Sequence, residues 1–371
     1  MTIHVNHGKI RRRAEGRDSR SRAGRLPVNW VSERSPVVGG TEHERANVGH
    51  FSVLFQFGGD EWVKELPDMV RSIGKLRRSL LAGILLMASV TGAADWKGIA
   101  QVPAAVSFAV IGDSGSGQPP QFAIARRMMI ERERTPFDFV IMLGDNIYGL
   151  GNPKYFKPRF EDPYRELLAA GVKFYAALGN HDAHAAADHI KYDNFNMGGR
   201  RYYSFVKGDG LIEFFVLDTN ETKTSELKPE QLSWLEAGLK ASTARWKVAY
   251  FHHSIYSSGR MHSPYTRLRE QIEPLFVKYR VNVVFSGHYH VYERIKPQKG
   301  VQYIVAGSGG KLMKGNLNKK SALTAFGNDQ TRIFLLATVE ENQMLVKAIT
   351  ADGTEVDSVK IELAPSADGG S

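Results

Sequence analysis

The sequence predicts an α/β domain, because short apolar runs alternate along the chain with segments of helical periodicity. Five runs have the length of buried strands, and they cover residues 106–111, 137–143, 173–178, 247–251 and 281–285. Apolar residues keep helical spacing after Pro229 and again after Pro264. Further strands are expected over residues 201–205 and 212–217 and within 302–361. We therefore expect a domain in which helices pack against a strand framework.

The first 94 residues differ in character from the rest of the chain. Residues 69–94 have the pattern of a signal peptide, with a basic start, an apolar stretch and small residues at the exit. Because Met69 stands where such a signal would begin, residues 1–68 are expected to be a non-native upstream segment or a disordered one. The remainder is then a folded domain over 95–363 and a flexible tail over 364–371. This organisation predicts a secreted or periplasmic protein.

Two other interpretations of the first 94 residues stay open: a buried helix over 69–94, and a genuine disordered basic arm over 1–68. The export route is open as well, since Arg77-Arg78 also resembles a twin-arginine signal. The apolar stretch is too short to span a bilayer as a permanent helix. We therefore expect no stable membrane anchor after cleavage.

The formal net charge of +10 lies mostly in the amino-terminal segment. Residues 1–94 contain 15 Lys and Arg against 9 Asp and Glu, whereas the rest of the chain contains 34 against 30. No nucleic-acid partner is expected of a domain with such a mild surplus. The chain has no cysteine, which excludes a cysteine nucleophile, a thiolate zinc site and disulfides. We expect a monomer.

Each of the five buried runs is followed at once by polar residues that can bind a metal. The five motifs are Gly112-Asp113-Ser114-Gly115, Gly144-Asp145-Asn146-Ile147-Tyr148, Gly179-Asn180-His181-Asp182, His252-His253 and Gly287-His288-Tyr289-His290. In open α/β sheets, ligands bind just beyond the carboxyl ends of strands, so these residues should share one rim. A lone Gly-Asp after a strand is usually a turn, but five such motifs in order at strand ends predict a metal site.

The spacing of the histidines refines this prediction. His288 and His290 are two residues apart, so in extended chain they face the same way and can serve one centre. His252 and His253 are adjacent and face opposite ways, so only one of them is expected to be a ligand. His184 and His189 match no motif and are expected at the surface.

The five motifs resemble those of the calcineurin-like metallophosphoesterases and, within that superfamily, of the purple acid phosphatases of the small, tartrate-resistant kind. The family pattern is GDxG, GDxxY, GNH(D/E), a strand-end His and GHxH, and it occurs here in order from Asp113 to His290. The resemblance covers roughly residues 103–361. It implies a four-layer sandwich of two mixed β-sheets flanked by helices.

The resemblance also implies a centre of two metal ions that share Asp145. The first ion would be bound by Asp113, Asp145, Tyr148 and His290, and the second by Asp145, Asn180, His252 and His288. His252 is preferred to His253 because the family places its ligand first in this run, although Ser254 stands where the family has proline. Three anionic ligands suit Fe³⁺ at the first position, and one shared carboxylate suits Fe²⁺, Zn²⁺ or Mn²⁺ at the second.

Such a centre predicts a secreted acid phosphatase that hydrolyses phosphate monoesters by metal-activated hydroxide. Its substrates would be small-molecule or protein phosphate esters. His181 and His262 are assigned to binding the phosphate and protonating the leaving group, although His262 lies one residue further from His252 than the family pattern has it. The alternatives are a phosphodiesterase or nucleotidase with the same centre, a metal-binding protein without activity, and a nucleic-acid-binding module, which rests only on the basic amino-terminal segment. Tyr148 favours the acid phosphatase branch.

Overall fold

A computed structural model of the chain describes residues 105–222, 225–263 and 265–363. The segments predicted as an upstream extension, a signal peptide and a tail, at 1–94 and 364–371, lie outside the described residues. Among the described residues, no helix combines the length and the apolar character that a membrane crossing requires.

Strands are interspersed with helices as far as residue 278, and the described chain after that point consists of strands and loops. The strands are β1 Val106–Ile111, β2 Phe139–Met142, β3 Lys173–Ala176, β4 Tyr203–Lys207, β5 Ile212–Val216, β6 Trp246–His253, β7 Val283–Gly287, β8 Tyr292–Ile295, β9 Gln302–Ala306, β10 Thr324–Asn328, β11 Ile333–Val339, β12 Gln343–Thr350 and β13 Glu355–Glu362. The helices are α1 Pro119–Arg134, α2 Arg165–Ala169, α3 Ala186–His189, α4 Pro229–Ala241 and α5 Thr266–Lys278. The five predicted buried strands correspond to β1, β2, β3, β6 and β7.

The strands form two mixed sheets. The first has the order β13-β12-β11-β1-β2-β3, in which β1, β2 and β3 are parallel and the other neighbours antiparallel. The second has the order β10-β8-β9-β7-β6-β5-β4, in which β5, β6, β7 and β9 are parallel and both edges are antiparallel. Parallel neighbours end at the same edge of a sheet. The loops that carry the five motifs are thereby brought to one edge of each sheet.

Aromatic side chains fill the space between the two sheets. Phe108 on β1 meets Phe214 on β5 edge-on, with ring centroids 5.1 Å apart. Phe139 on β2 packs against the same Phe214 at 5.6 Å. Tyr175 on β3 stacks on Phe205 of β4 at 4.1 Å. Such pairs add to the burial of large apolar rings, so the inner faces of the sheets form one aromatic core.

Helices cover the outer faces. Ile124 and Met128, one helical turn apart on α1, are fully buried in the core cluster that contains the first sheet. On the second sheet, α4 and α5 bury Leu235 and Ile272 in a cluster with Phe251 of β6. Both α1 and α4 have proline in their first turn, where its missing N–H costs nothing. The predicted four-layer sandwich is confirmed.

Candidate metal centre

The loops after the strand ends bring predicted ligands together from both sheets. The first sheet supplies Asp113, Asp145, Tyr148 and Asn180, in the loops after β1, β2 and β3. The second sheet supplies His252, near the end of β6, and His288 and His290, in the loop after β7. Asn180 and His290 are half-buried and the other five are buried. All seven side chains lie in one region, and they form two adjoining clusters.

The first cluster consists of Asp113, Tyr148 and His290. The Tyr148 hydroxyl lies 3.4 Å from Asp113 Oδ1 and 3.1 Å from His290 Nε2. His290 Nε2 is in turn 3.4 Å from Asp113 Oδ1. The other carboxylate oxygen, Asp113 Oδ2, accepts the backbone N–H of His288 at 2.9 Å, which fixes the side chain. A phenol, a carboxylate and an imidazole thus converge on one point.

The second cluster is centred on His252. Its Nε2 atom lies 3.0 Å from Asn180 Oδ1 and 3.1 Å from His288 Nδ1. On the other side of the ring, Nδ1 is 2.9 Å from the carbonyl oxygen of Leu143, which can only accept, so Nδ1 carries the proton. In the neutral ring, Nε2 therefore directs a lone pair at atoms that are themselves potential metal ligands. An imidazole held by a backbone carbonyl with its other nitrogen free is the usual arrangement of a metal-binding histidine, so these residues fit a cation.

Asp145 lies between the two clusters. A carboxylate oxygen of Asp113, one of Asp145 and a ring nitrogen of His252 are all within 4.8 Å of one another. Asp145 Oδ1 is 3.5 Å from His252 Nε2 and accepts the backbone N–H of His181 at 3.0 Å. This position suits a carboxylate shared by two ions.

Four of the seven side chains sit on backbone in the left-handed region. The φ angle is +53° at Asp113 and at Asp145, +75° at His288 and +48° at His290. Asp and His tolerate this region better than most residues, but it is still unfavourable, and such residues cluster at functional sites. Gly144 has φ +87°, and a Cβ there would lie 2.7 Å from His252 Nδ1, so only glycine fits this position.

Burial and neighbouring charged groups shift the pKa values of several side chains in the clusters. Burial, with the carboxylates of Asp113 and Asp145, holds the pKa of Tyr148 well above its ordinary value. Burial also raises the pKa of Asp145 overall. Burial acts to lower the pKa of His252, but Asp145 and Asp113 outweigh it and raise that pKa. In His288, burial and the neighbouring His252 hold the pKa far below the ordinary value, so its ring is neutral. A cation placed among these groups would favour the anionic forms of Asp145 and Tyr148.

The two histidines predicted to act in catalysis lie at the border of the clusters. The His181 side chain is 41% exposed, and its Nε2 atom is 3.9 Å from Asp145 Oδ2. Its ring centroid is 4.6 Å from that of Tyr148. The ring of His262 stacks on His288 with centroids 3.8 Å apart. His181 therefore adjoins both clusters and His262 adjoins the second.

Sequence reasoning missed three residues at this site. His253 was expected to face away from His252, but the pairing of β6 with β7 shifts register between Phe251 and His253. This irregularity breaks the strict alternation of the strand, and the two rings lie 5.1 Å apart. Tyr265 places its hydroxyl 2.7 Å from His288 Nε2, and Lys311 Nζ lies 4.5 Å from the centre of the Tyr148 ring. The glycine-rich run after β9 was an available signal for Lys311.

The expectation for the two unassigned histidines was correct for His184, which is exposed, and wrong for His189, which is fully buried. His189 Nε2 donates to the backbone carbonyl of Gly151 at 2.8 Å. Its ring packs edge-on against Phe156 at 5.0 Å. His189 thus supports the loop that follows Tyr148.

Comparison with known proteins agrees with this geometry. A family profile described as calcineurin-like phosphoesterase matches residues 106–292. The chain is 28% identical over 238 residues to purple acid phosphatase 7 of Arabidopsis thaliana, covering 57% of this chain and 72% of that protein. It is 26% identical over 296 residues to human tartrate-resistant acid phosphatase type 5, covering 69% of this chain and 91% of that protein. The chain belongs to the calcineurin-like phosphoesterase family.

One solved structure with the same fold is not named as an enzyme. GAP50, titled as the anchor in the inner membrane complex of Plasmodium, superposes with a TM-score of 0.61 and 21% identity over 71% of this chain and 90% of that one. At this identity the likeness shows the fold alone. The comparisons confirm the predicted family and its acid phosphatase branch, and the relatives' names agree with the predicted class of enzyme.

Proposed function

We propose that this protein is an acid phosphatase that hydrolyses phosphate monoesters at a centre of two metal ions. The observation that carries the proposal is the pair of adjoining clusters with Asp145 between them. Two ions in such an arrangement serve both the attacking and the departing oxygen of a phosphoryl transfer. The substrates are phosphate esters of small molecules or proteins.

Asp113, Tyr148 and His290 would hold the first ion together with Asp145, and this set favours Fe³⁺ because it contains three anionic oxygens once the phenol ionises. Asn180, His252 and His288 would hold the second with the same Asp145, and this less anionic set favours Fe²⁺, Zn²⁺ or Mn²⁺. When bound, the ions supply an activated water nucleophile and neutralise phosphate charge.

The protein's own contribution to the reaction is to hold the phosphate and to supply a proton to the leaving alkoxide. His181 borders both clusters with a partly exposed side chain, which suits it to contact a phosphate oxygen. His262 stacks on His288 beside the second cluster, which suits it to reach the leaving group. Burial, with His290 and His252, lowers the pKa of His262. A proton donor with a lowered pKa is charged only in acid, in keeping with an acid phosphatase.

The proposed place of action is outside the cytoplasm, in the periplasm or the medium. The support is the signal-like pattern of residues 69–94.

Phosphate release by the purified protein tests the proposed activity. We expect hydrolysis of p-nitrophenyl phosphate with an acidic optimum, little hydrolysis of bis(p-nitrophenyl) phosphate, and loss of activity after chelation with recovery on adding Fe³⁺ and Zn²⁺. Asp138→Ala, an exposed carboxylate before β2, is the matched control for Asp145→Ala. Preference for the diester would favour a phosphodiesterase. An inactive, metal-loaded protein would favour a non-enzyme of this fold.

A further inference from the structure

Residues 257–263, which we call the β6–α5 segment, carry His262 and are held by a buried carboxyl group from another strand. Glu293 lies on β8 and is fully buried. Its Oε2 atom accepts the hydroxyl of Ser257 at 2.9 Å and the backbone N–H of Ser258 at 2.8 Å. Glu293 therefore anchors the start of the segment.

Strands of the second sheet fix the direction of the Glu293 side chain. Its neighbours Tyr292 and Arg294 both donate to Asp357 Oδ2 at 2.8 Å. Because successive residues of a strand face opposite sides, Glu293 points away from Asp357, towards the β6–α5 segment. Thr324 of β10 donates its hydroxyl to Glu293 Oε1 at 2.5 Å. The carboxyl group is thus held on the sheet, and it is a fixed point for the segment.

The rest of the β6–α5 segment is attached to the loop after β7. The Arg260 backbone N–H donates to Asn316 Oδ1 at 2.9 Å, and Asn316 Nδ2 donates to the carbonyl of Tyr289 at 2.8 Å. A Cβ at Gly259 would lie 2.2 Å from Cδ1 of Tyr289, so this close approach requires glycine. The Tyr289 hydroxyl donates to the carbonyl of Ser263 at 3.3 Å. The segment is thereby attached both before and after its histidine.

These anchors determine where the ring of His262 lies. The ring stacks on His288 with centroids 3.8 Å apart and meets Tyr289 edge-on at 5.6 Å. Ring contacts of this kind contribute less than several hydrogen bonds together. The backbone of the segment, rather than the stacking alone, therefore holds His262 beside the second cluster.

We propose that Glu293 is a positioning residue for phosphate ester hydrolysis, which holds the β6–α5 segment so that His262 can protonate the leaving oxygen. The proposal rests on the proposed function. The oxygen of water bonds to phosphorus, the bond from phosphorus to the leaving oxygen breaks, and the proton of His262 passes to that oxygen. A proton released by the attacking water then returns to His262 through solvent.

The identity of the leaving group makes this role measurable. A proton donor must lie within hydrogen-bond reach of the leaving oxygen, and a displacement of about 1 Å can cost on the order of 100-fold in rate. An alkoxide needs the proton more than p-nitrophenolate does, because p-nitrophenolate leaves readily as an anion. Loss of the anchor should therefore slow the hydrolysis of alkyl esters more than that of aryl esters.

The test is the ratio of kcat for glycerol 2-phosphate to kcat for p-nitrophenyl phosphate, measured with the metal content of each variant. Glu293→Met removes both acceptors, and we expect the ratio to fall about 10- to 100-fold at unchanged metal content. In Glu293→Gln the amide oxygen can accept from Ser258 while its nitrogen donates to Thr324, so most of the ratio should be retained. Glu131→Met, a change of a buried carboxylate on α1, is the control and should keep the wild-type ratio.

A double-mutant cycle asks whether Glu293 acts through His262. His262→Ala alone should lower the ratio, and adding Glu293→Met should change it further by less than about twofold, because no proton donor is left to position. A further fall by the full factor would overturn the proposal. Ser257→Ala removes one anchor and leaves the buried carboxyl group in place. It should lower the ratio by a smaller factor, and it replaces Glu293→Met in the cycle if that variant fails to fold.

Limited digestion with trypsin tests the anchor without reference to activity. Arg260 is exposed, so release of the β6–α5 segment should speed cleavage after this residue in Glu293→Met relative to Glu131→Met. Equal cleavage rates, or an unchanged ratio of kcat values, would overturn the positioning role. Equal loss for both esters with loss of metal would show that Glu293 supports the metal centre instead. A wild type that hydrolyses neither ester would contradict the proposed function, and the trypsin comparison would still decide whether Glu293 holds the segment.

Discussion

The carboxylate of Asp182 accepts two hydrogen bonds from Asn146, one from its backbone nitrogen and one from its side-chain amide, each at 3.0 Å. The same oxygen, Oδ2, accepts the backbone N–H of Gly179 at 2.9 Å, and Oδ1 accepts that of Ile147 at 3.0 Å. Asp182 is fully buried. One carboxylate therefore ties the loop that carries Asp145 to the turn that carries Asn180.

Asp182→Ala should destabilise the protein and loosen both loops together. Four donors, three of them backbone amides, would lose their acceptor, so we expect the free energy of unfolding to fall by about 2–5 kcal/mol. Metal affinity should fall as well, because Asp145 and Asn180 lose their common support. Denaturant unfolding and metal titration measure the two effects. Asp188→Ala, an exposed carboxylate on α3, is the control, and equal behaviour of the two variants would rule out the positioning role.

Asp145→Ala should lose both ions, whereas Asp113→Ala should mainly weaken the first. Both residues have φ +53°, so the backbone penalty for alanine is the same and the comparison isolates their roles as ligands. Elemental analysis after dialysis gives the metal content of each variant. Full retention of both ions by Asp145→Ala would exclude a shared ligand.

Tyr148→Phe should abolish the colour of the oxidised protein while leaving the fold intact. A phenolate bound to Fe³⁺ absorbs in the visible, and phenylalanine keeps the ring but removes the oxygen. The loss of one anionic ligand should also shift preference towards divalent ions. Visible spectra and iron content test this prediction. Tyr155→Phe is the control, because Tyr155 is a half-buried tyrosine outside both clusters whose ring contacts Arg159. A variant that keeps its colour and its iron would make Tyr148 a packed tyrosine only.

Metal binding should weaken as the pH falls. In the metal-free protein, the carboxylates of Asp145 and Asp113 raise the pKa of His252 above the ordinary histidine pKa. Below this raised pKa, a proton occupies the Nε2 atom of His252. The ion must displace this proton, so affinity for Zn²⁺ should fall about tenfold per pH unit below that pKa. Equilibrium dialysis between about pH 5 and about pH 8 measures the slope. An affinity that is constant over this range would contradict a ligand role for His252.

The mature protein should begin near Asp95, because a basic, apolar and small-residue pattern starts at Met69. Amino-terminal sequencing of the exported protein identifies the first residue. Residues 1–68 on the mature chain would show that the upstream segment is part of the protein.

Local patterns predicted the buried strands and the polar motifs that follow them, and the family resemblance selected the seven candidate ligands from those motifs. Buried strands show as apolar runs, and the polar motifs follow them directly, so Asp113 or His288 can be located without knowledge of the tertiary structure. The resemblance then assigned these residues to two ions. Without the resemblance, the three-dimensional geometry would have been needed to suggest this partition.

What the sequence did not predict depends on contacts between distant segments. His253 enters the site through an irregularity in the pairing of β6 with β7, which no local pattern announces. His189 is buried, and its Nε2 donates a hydrogen bond to the backbone carbonyl of Gly151, 38 residues earlier. The position of β11 next to β1 in an antiparallel pair is also non-local, and it could not be derived from periodicity.

Because the candidate ligands come from both sheets, ion binding would reversibly stabilise the packing of the two sheets against each other. Any ligand that binds only the folded chain stabilises it, by about 2.7 kcal/mol when free ligand is at 100 times its Kd. Without ions, buried like charges and left-handed backbone at Asp113 and Asp145 would oppose the docking of the sheets. Metal supply would then govern how long the protein survives proteases as well as how fast it works.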